Sequence, residues 1–150
     1  MRDRAPQKKQ RRFYSGKKKR HTIKAQILAD ARTLRIYSVR FAPGSMHDYA
    51  LLKASGLPLS SRIELLADKG YVGIKSLHLN STVPTKASKR KPLTEDDRRL
   101  NAEISMRRLP IEHINRALKR WRILSGRYRN KRRRFGLRFS LLCGIYNFQL

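Results

Sequence analysis

The segment Ile63-Glu64-Leu65-Leu66-Ala67-Asp68-Lys69-Gly70-Tyr71 decides how this chain folds. Its apolar run, 63–67, is interrupted only by Glu64, a pattern typical of a strand that is buried on both faces. Asp68 ends the run, and a turn follows it. A carboxylate at the end of a buried strand either forms the turn or holds a cation, and position alone favours neither role.

The residues before this strand predict a hairpin and a short helix. Apolar and polar residues alternate over 23–27 and again over 34–41, which indicates two antiparallel strands. Residues 47–54 have the composition of a helix that ends near Gly56. Asp48 is expected to cap that helix, and a metal-binding role for it is the less favoured alternative. After the central strand, residues 82–85 predict another short strand. Its proline limits that strand to the edge of a sheet or lies at the strand's end.

The second half of the chain is predicted to be helical. A helix begins at Thr94, whose capping partner is Asp97, and it stops or kinks before Pro110. The next helix carries Glu112 in its first turn, where the helix dipole favours an anion. Its apolar stripe points away from that carboxylate and consists of Ile111, Ile114, Leu118, Trp121 and Leu124. Residues 135–150 are apolar nearly all round, which predicts a buried terminal helix rather than a membrane span.

The charge of the chain is its strongest compositional feature. It has 37 Lys and Arg against 10 Asp and Glu, a formal charge of +27 on 150 residues. Residues 1–24 and 107–138 hold most of the excess, whereas the middle of the chain is nearly balanced. A polyanion that neutralises this charge, either DNA or RNA, is therefore the leading partner, and no membrane is expected. The single cysteine, Cys143, excludes an intramolecular disulfide.

Four segments in order carry a resemblance to a known family. They are Tyr14–Thr22 with its run Lys17-Lys18-Lys19-Arg20, then Pro43–Asp48, Ala67–Tyr71, and Ile111–Arg116 followed by Lys119. Together they resemble the successive motifs of insertion-sequence transposases of the DDE type. That resemblance implies an α/β fold, an RNase H-like mixed sheet with flanking helices.

The resemblance also implies a chemistry and assigns residues to it. Asp68 matches the second catalytic Asp of the family and Glu112 its catalytic Glu, and both would be metal ligands. The implied cofactor is Mg²⁺ or Mn²⁺, with two ions in the intact family. Those ions activate water, and then a DNA 3′-hydroxyl, for attack on a phosphodiester. The implied partner is DNA.

One element of the family pattern is not matched. The first catalytic Asp belongs to a strand that precedes the basic arm, and Asp3 lies within the arm without strand residues around it. We therefore expect 1–20 to be a basic arm and 21–150 a partial RNase H-like catalytic domain that is truncated at the N-terminus and lacks its first strand. Such a chain is expected to be inactive alone. Its expected protein partner is the product of an upstream reading frame or a full-length transposase.

Contacts with DNA phosphates are expected from the basic side chains nearest these motifs and from the tract before the terminal helix. They are Lys17, Lys18, Lys19, Arg20, Arg116, Lys119, Arg132, Arg133 and Arg134. Two alternatives to an active transposase core stay open. One is a catalytically dead remnant that binds DNA and interferes with full-length transposase, and the other is an unrelated basic RNA-binding protein. In each case a cytoplasmic protein is expected.

Overall fold

A computed structural model of the chain describes residues 13–16, 19–88, 92–126 and 132–150. Two short strands, β1 (Tyr14–Ser15) and β2 (Arg20–His21), pair antiparallel at the start of this part. Lys17 and Lys18, which connect them, lie outside the described residues, as does most of the predicted arm. The division into an arm and a domain therefore stays a prediction.

The predicted hairpin is confirmed. Strands β3 (Ile23–Ala29) and β4 (Ile36–Pro43) pair antiparallel, with a register shift next to Ala29. Asp30 closes the turn by accepting the backbone N–H of Arg32 at 2.6 Å. This bond and a second one from the Thr33 N–H favour the ionised form, so they lower the pKa of the Asp30 carboxyl.

The predicted helix after the hairpin is confirmed as α1 (Asp48–Ser55), but the expectation that Asp48 caps it is wrong, because His47 holds the capping position and no side chain makes a cap bond there. Gly56 ends it with a φ of 57°, in the left-handed region that glycine enters without strain. The central strand is shorter than predicted. Strand β5 contains only Leu65 and Leu66, which pair in parallel with β6 (Ser81–Thr82).

The prediction that 63–67 is one strand buried on both faces is wrong at its ends. Ile63 is 54% exposed, and Leu65 is the buried member of the run. A strand extends only as far as neighbouring strands form hydrogen bonds with its backbone. Here the neighbour β6 has two residues, and Pro84, shortly after it, has no N–H to donate.

The helical half agrees with its capping and periodicity signals. Helix α2 (Glu95–Arg107) begins with the Thr94–Asp97 capping box, α3 (Leu109–Lys119) has Pro110 in its first turn, and α4 (Arg122–Ser125) follows a break at Trp121. The whole predicted stripe packs into one apolar cluster despite that break. The buried members of the cluster are Ile36, Ile114, Leu118, Phe139, Cys143 and Tyr146.

Helix α5 (Phe135–Phe148) lies against β4 and α3. Asn147 fixes it there, because its side chain accepts the Ile36 N–H at 2.9 Å and donates to the Ile36 carbonyl at 2.8 Å. The prediction of a helix is confirmed, but burial on all sides is wrong. Leu137 is 74% exposed and Phe148 is 92% exposed, because the described elements cover one face of α5.

Cys143 lies on the covered face of α5, and its burial raises the pKa of the thiol to about 11. The thiol is therefore protonated at neutral pH, as expected for an inert core residue. No helix in the described part of the chain has the length and apolarity needed to cross a membrane. The described chain is thus a mixed α/β structure made of three two-stranded sheets and five helices.

Candidate active site

A single groove of about 830 Å³ brings together the acids that the sequence singled out. One wall is β3 with the turn after it, another is the segment from Ile63 to Asp68, and a third is the beginning of α3. Asp68 and Glu112 both line it, although 44 positions separate them in the chain. Asp48, the less favoured metal candidate, lines the same groove.

Asp68 lies two residues after the end of β5 and shapes the turn that comes next. Its Oδ1 atom accepts the backbone N–H of Gly70 at 2.6 Å, and its carbonyl accepts the N–H of Tyr71 at 3.0 Å. Asp68 therefore does form the turn. This does not exclude a second role, because an ionised carboxylate has two oxygens with about four acceptor positions, and the turn uses one of them.

Glu112 lies in the first turn of α3 and points towards solvent, with a side chain that is 61% exposed. Its Oε1 atom is 4.0 Å from Nη2 of Arg108, a distance at which an exposed ion pair contributes little. The weak contact keeps a cation beside the carboxylate without occupying it. The carboxylate therefore stays accessible to a metal ion or to water at the mouth of the groove.

Asp48 approaches Asp68 across Gly70. The position that a Cβ atom on Gly70 would occupy is 2.8 Å from Oδ2 of Asp48 and 2.9 Å from Oδ1 of Asp68. Lys24 holds the other oxygen of Asp48, with 3.0 Å between Nζ and Oδ1, and donates to the Met46 carbonyl at 2.5 Å. Lys24 was not singled out by the sequence, where nothing connects it to a residue 24 positions later.

Tyr71 also lines this groove and is half-buried. Its hydroxyl accepts a hydrogen bond of 2.9 Å from Nε2 of Gln26, whose Oε1 atom is buried without a partner in the described residues. Burial raises the pKa of the Tyr71 hydroxyl, and the negative charges of Asp48 and Asp68 raise it further. The hydroxyl is therefore protonated at neutral pH and acts as a neutral hydrogen-bonding group rather than as an anion.

A second ion pair supports the segment around β5, the strand that precedes Asp68. Glu64 binds Nη2 of Arg107 at the end of α2, and it accepts a hydrogen bond of 2.9 Å from the Thr82 hydroxyl of β6. The Arg107 hydrogen bond is the largest cause of a lowered pKa at Glu64, and the Thr82 hydrogen bond adds to it. The pair therefore joins α2 to the β5–β6 sheet.

Replacing Glu64 with Gln is expected to lower the melting temperature at neutral pH by no more than about 4 °C, because an exposed pair contributes modestly. The folded-state pKa of Glu64 lies below its usual 4.5, so the charged form stabilises the fold above that pH and the contribution disappears as the pH falls through the folded-state pKa. At a pH below the folded-state pKa the wild type and the variant should approach each other. Thermal unfolding followed by circular dichroism across this range tests the prediction.

The matched control is Glu103→Gln, which removes a carboxylate that acts on Arg107 only through space. A smaller effect of Glu103→Gln at neutral pH is expected. A Glu64→Gln difference that persists unchanged at acidic pH would contradict the assignment to an ionised pair.

The donor set suits a hard divalent cation, because carboxylate oxygens are the ligands that Mg²⁺ and Mn²⁺ prefer. Asp48 and Asp68 converge on Gly70, and Glu112 lies on another wall of the groove. Within the described residues, however, no group of three His, Cys, Asp or Glu side chains is close enough to hold a metal ion together. The described residues thus offer carboxylate oxygens along the groove but no closed set of metal ligands.

The predicted DNA contacts fall into three places on the described surface. Lys19 and Arg20 lie at the β1–β2 hairpin, Arg116 and Lys119 follow Glu112 on the same face of α3, and Arg133 and Arg134 precede α5; all six are exposed. The side chain of Arg132 lies outside the described part. Sequence reasoning missed Arg107 and Arg108, which line the groove itself. For Arg108 the sequence did contain a signal, because residues four positions apart on a helix, such as Arg108 and Glu112, lie side by side.

Comparison with known proteins identifies the family of the chain. The family model described as "DDE superfamily endonuclease" matches residues 2–147. A curated protein of Microchaete diplosiphon, "Probable transposase for insertion sequence element IS702", is 43% identical over 145 residues. That match covers 97% of this chain and 52% of the relative, so the chain spans about half of the relative's length. No solved structure gives a significant match.

The resemblance stated from the four sequence motifs is thereby confirmed. The family match extends over nearly the whole chain and includes every motif, and the identity to the relative is high enough to show common descent. The chain therefore belongs to the DDE superfamily endonucleases, among the transposases of insertion sequences.

Proposed function

We propose that this chain forms half of a catalytic core that cleaves and joins DNA with the help of divalent metal ions. The observation that carries the proposal is the convergence of Asp48, Asp68 and Glu112 on one groove of a strongly basic protein. Acids are scarce here, with 10 in 150 residues, yet five of them line this groove, Asp48, Asp68 and Glu112 among them, and this concentration needs a reason. Metal binding beside a phosphate provides that reason.

In this proposal Asp68 and Glu112 are the catalytic carboxylates and hold Mg²⁺ or Mn²⁺. The bound ions would supply the activation of water, or of a DNA 3′-hydroxyl, for in-line attack on phosphorus. The remaining work belongs to the protein. Arg116 and Lys119, one and two turns after Glu112, would hold the DNA backbone against the groove. Such a protein acts on DNA in the cytoplasm.

The RNase H-like sheet is part of the same proposal. Each of β3 and β5 is paired on one edge only among the described strands, and both line the groove. Successive residues line it from Ala25 to Arg32 and from Ile63 to Asp68. Because successive side chains of a strand point to opposite faces, such a wall is a strand edge rather than a sheet face. An added strand between the two edges would join the two-stranded sheets into one mixed sheet.

We infer that this strand comes with the other half of the transposase and brings the third carboxylate. An unpaired edge favours an extended partner, because backbone hydrogen bonds supply affinity for any strand that fits. The partner is thus the product of an upstream reading frame or a full-length transposase. Without that carboxylate the described residues contain no closed group of metal ligands, so the chain alone should not cut DNA at a useful rate.

A nicking assay tests the proposal. The substrate is a supercoiled plasmid that carries the ends of the insertion element, with Mg²⁺ or Mn²⁺ present. The chain is assayed alone and after co-folding with the portion of the Microchaete diplosiphon transposase that the alignment leaves uncovered. We expect nicking only in the second case. Robust nicking by the chain alone would contradict the need for a partner.

A second candidate is a DNA-binding remnant that interferes with full-length transposase, because the described residues contain no group of three ligands close enough to hold a metal ion together. The same assay separates the two. If the added portion restores no nicking and the chain instead suppresses the activity of the full-length relative, the interfering role is the correct one.

A further inference from the structure

Gly70 occupies a place where no larger residue fits without moving a carboxylate. A Cβ atom there would lie 2.8 Å from one oxygen of Asp48 and 2.9 Å from one oxygen of Asp68. Carbon and oxygen atoms that are not bonded normally stay more than 3 Å apart, so both contacts would be repulsive. The glycine therefore lets the two acids close around the backbone.

Backbone conformation does not explain the glycine. The glycines with a positive φ in the described residues are Gly56 and Gly73, and Gly70 is not among them. It lies inside the short 3-10 turn Lys69–Tyr71, a conformation that alanine adopts equally well. The demand for glycine at position 70 comes from its neighbours alone.

Neither neighbouring carboxylate can withdraw freely. Lys24 holds Asp48, and Lys24 is itself fixed by the Met46 carbonyl. The Gly70 N–H holds Oδ1 of Asp68, the same atom that an added Cβ would approach. A side chain at position 70 would therefore break the Gly70–Asp68 hydrogen bond, disturb the Lys24–Asp48 ion pair, or do both.

We propose that Gly70 is a positioning residue, which sets the separation of the Asp48 and Asp68 carboxylates and so the direction in which Asp68 meets a divalent cation. The inference rests on the proposed function, because the cation is the one that Asp68 would hold. The ion pair with Lys24 holds the Asp48 carboxylate in place and compensates its charge.

The test is Gly70→Ala in the full chain, with Mn²⁺ affinity measured by titration calorimetry and folding measured by thermal unfolding. Loss of a residue that orients a metal ligand typically weakens metal binding by about tenfold or more, and we expect that loss here with a nearly unchanged melting temperature. Gly144→Ala is the matched control, since a Cβ there meets nothing within 4 Å. It should bind Mn²⁺ like the wild type.

A double variant distinguishes positioning from a general loss of structure. In an Asp48→Ala background the first of the two clashes is gone, so adding Gly70→Ala should weaken Mn²⁺ binding less than it does in the wild type. Equal losses in both backgrounds would overturn the role given to Asp48. Wild-type affinity in Gly70→Ala would overturn the inference alone, whereas no Mn²⁺ binding by the wild-type chain, both alone and completed by its partner, would overturn the proposed metal site as well.

Discussion

Asp68→Asn and Glu112→Gln are each expected to lower the rate of metal-dependent DNA nicking by about a thousandfold or more, measured with the chain completed by its partner. A metal ion contributes several kcal/mol to stabilising the transition state, and each 1.36 kcal/mol changes the rate about tenfold. An amide is a neutral and much weaker ligand for a hard cation than a carboxylate. Either substitution should therefore remove most of that contribution.

The Asn variant also decides between the two roles of Asp68. An amide oxygen can accept the Gly70 N–H as the carboxylate oxygen does, so the turn after β5 should survive. If Asp68 served the turn alone, Asp68→Asn would keep nearly full activity. A thousandfold loss with an unchanged melting temperature would assign the residue to the chemistry.

Two exposed acids of α2 give matched controls for charge. Asp96→Asn and Glu103→Gln remove the same charges from side chains that do not line the groove. Both should nick DNA at the wild-type rate. Full activity of Asp68→Asn or Glu112→Gln in this comparison would overturn the site assignment.

Local signals in the sequence were enough for most of the elements. The alternation over 23–41 gave the hairpin, Gly56 the end of α1, and Thr94 with Asp97 the start of α2. Each of these signals acts between residues that are at most a few positions apart, or along one periodic segment. The interactions behind each signal involve only residues of the same segment, so the sequence of that segment is sufficient to predict the element.

What the sequence could not give depends on contacts between distant segments. The length of β5 follows from how many residues of β6 reach it, and the exposure of Leu137 follows from which elements cover α5. The approach of Asp48 to Asp68 depends on Lys24 and on the absence of a side chain at Gly70. No periodicity within one segment reports any of these relations.

DNA binding by this chain is expected to weaken by about a thousandfold between 50 and 200 mM salt. Each phosphate that a Lys or Arg neutralises releases counterions, and the slope of log affinity against log salt is about −0.9 for each contact. Six exposed cations in the described residues were predicted to contact phosphate, and the chain carries +27 in all. Fluorescence anisotropy with duplexes of unrelated sequence, titrated at several salt concentrations, measures the slope.

Pairs of substitutions locate the contacts that produce this slope. Arg116→Ala with Lys119→Ala should make it less steep by about two contacts, and Arg133→Ala with Arg134→Ala should do the same. Lys75→Ala with Lys86→Ala removes two exposed cations from the nearly balanced middle of the chain and should leave the slope unchanged. Because all three double variants lose the same net charge, a slope that falls equally in all of them would mean that total charge attracts DNA and that the face beside Glu112 has no special part in holding it.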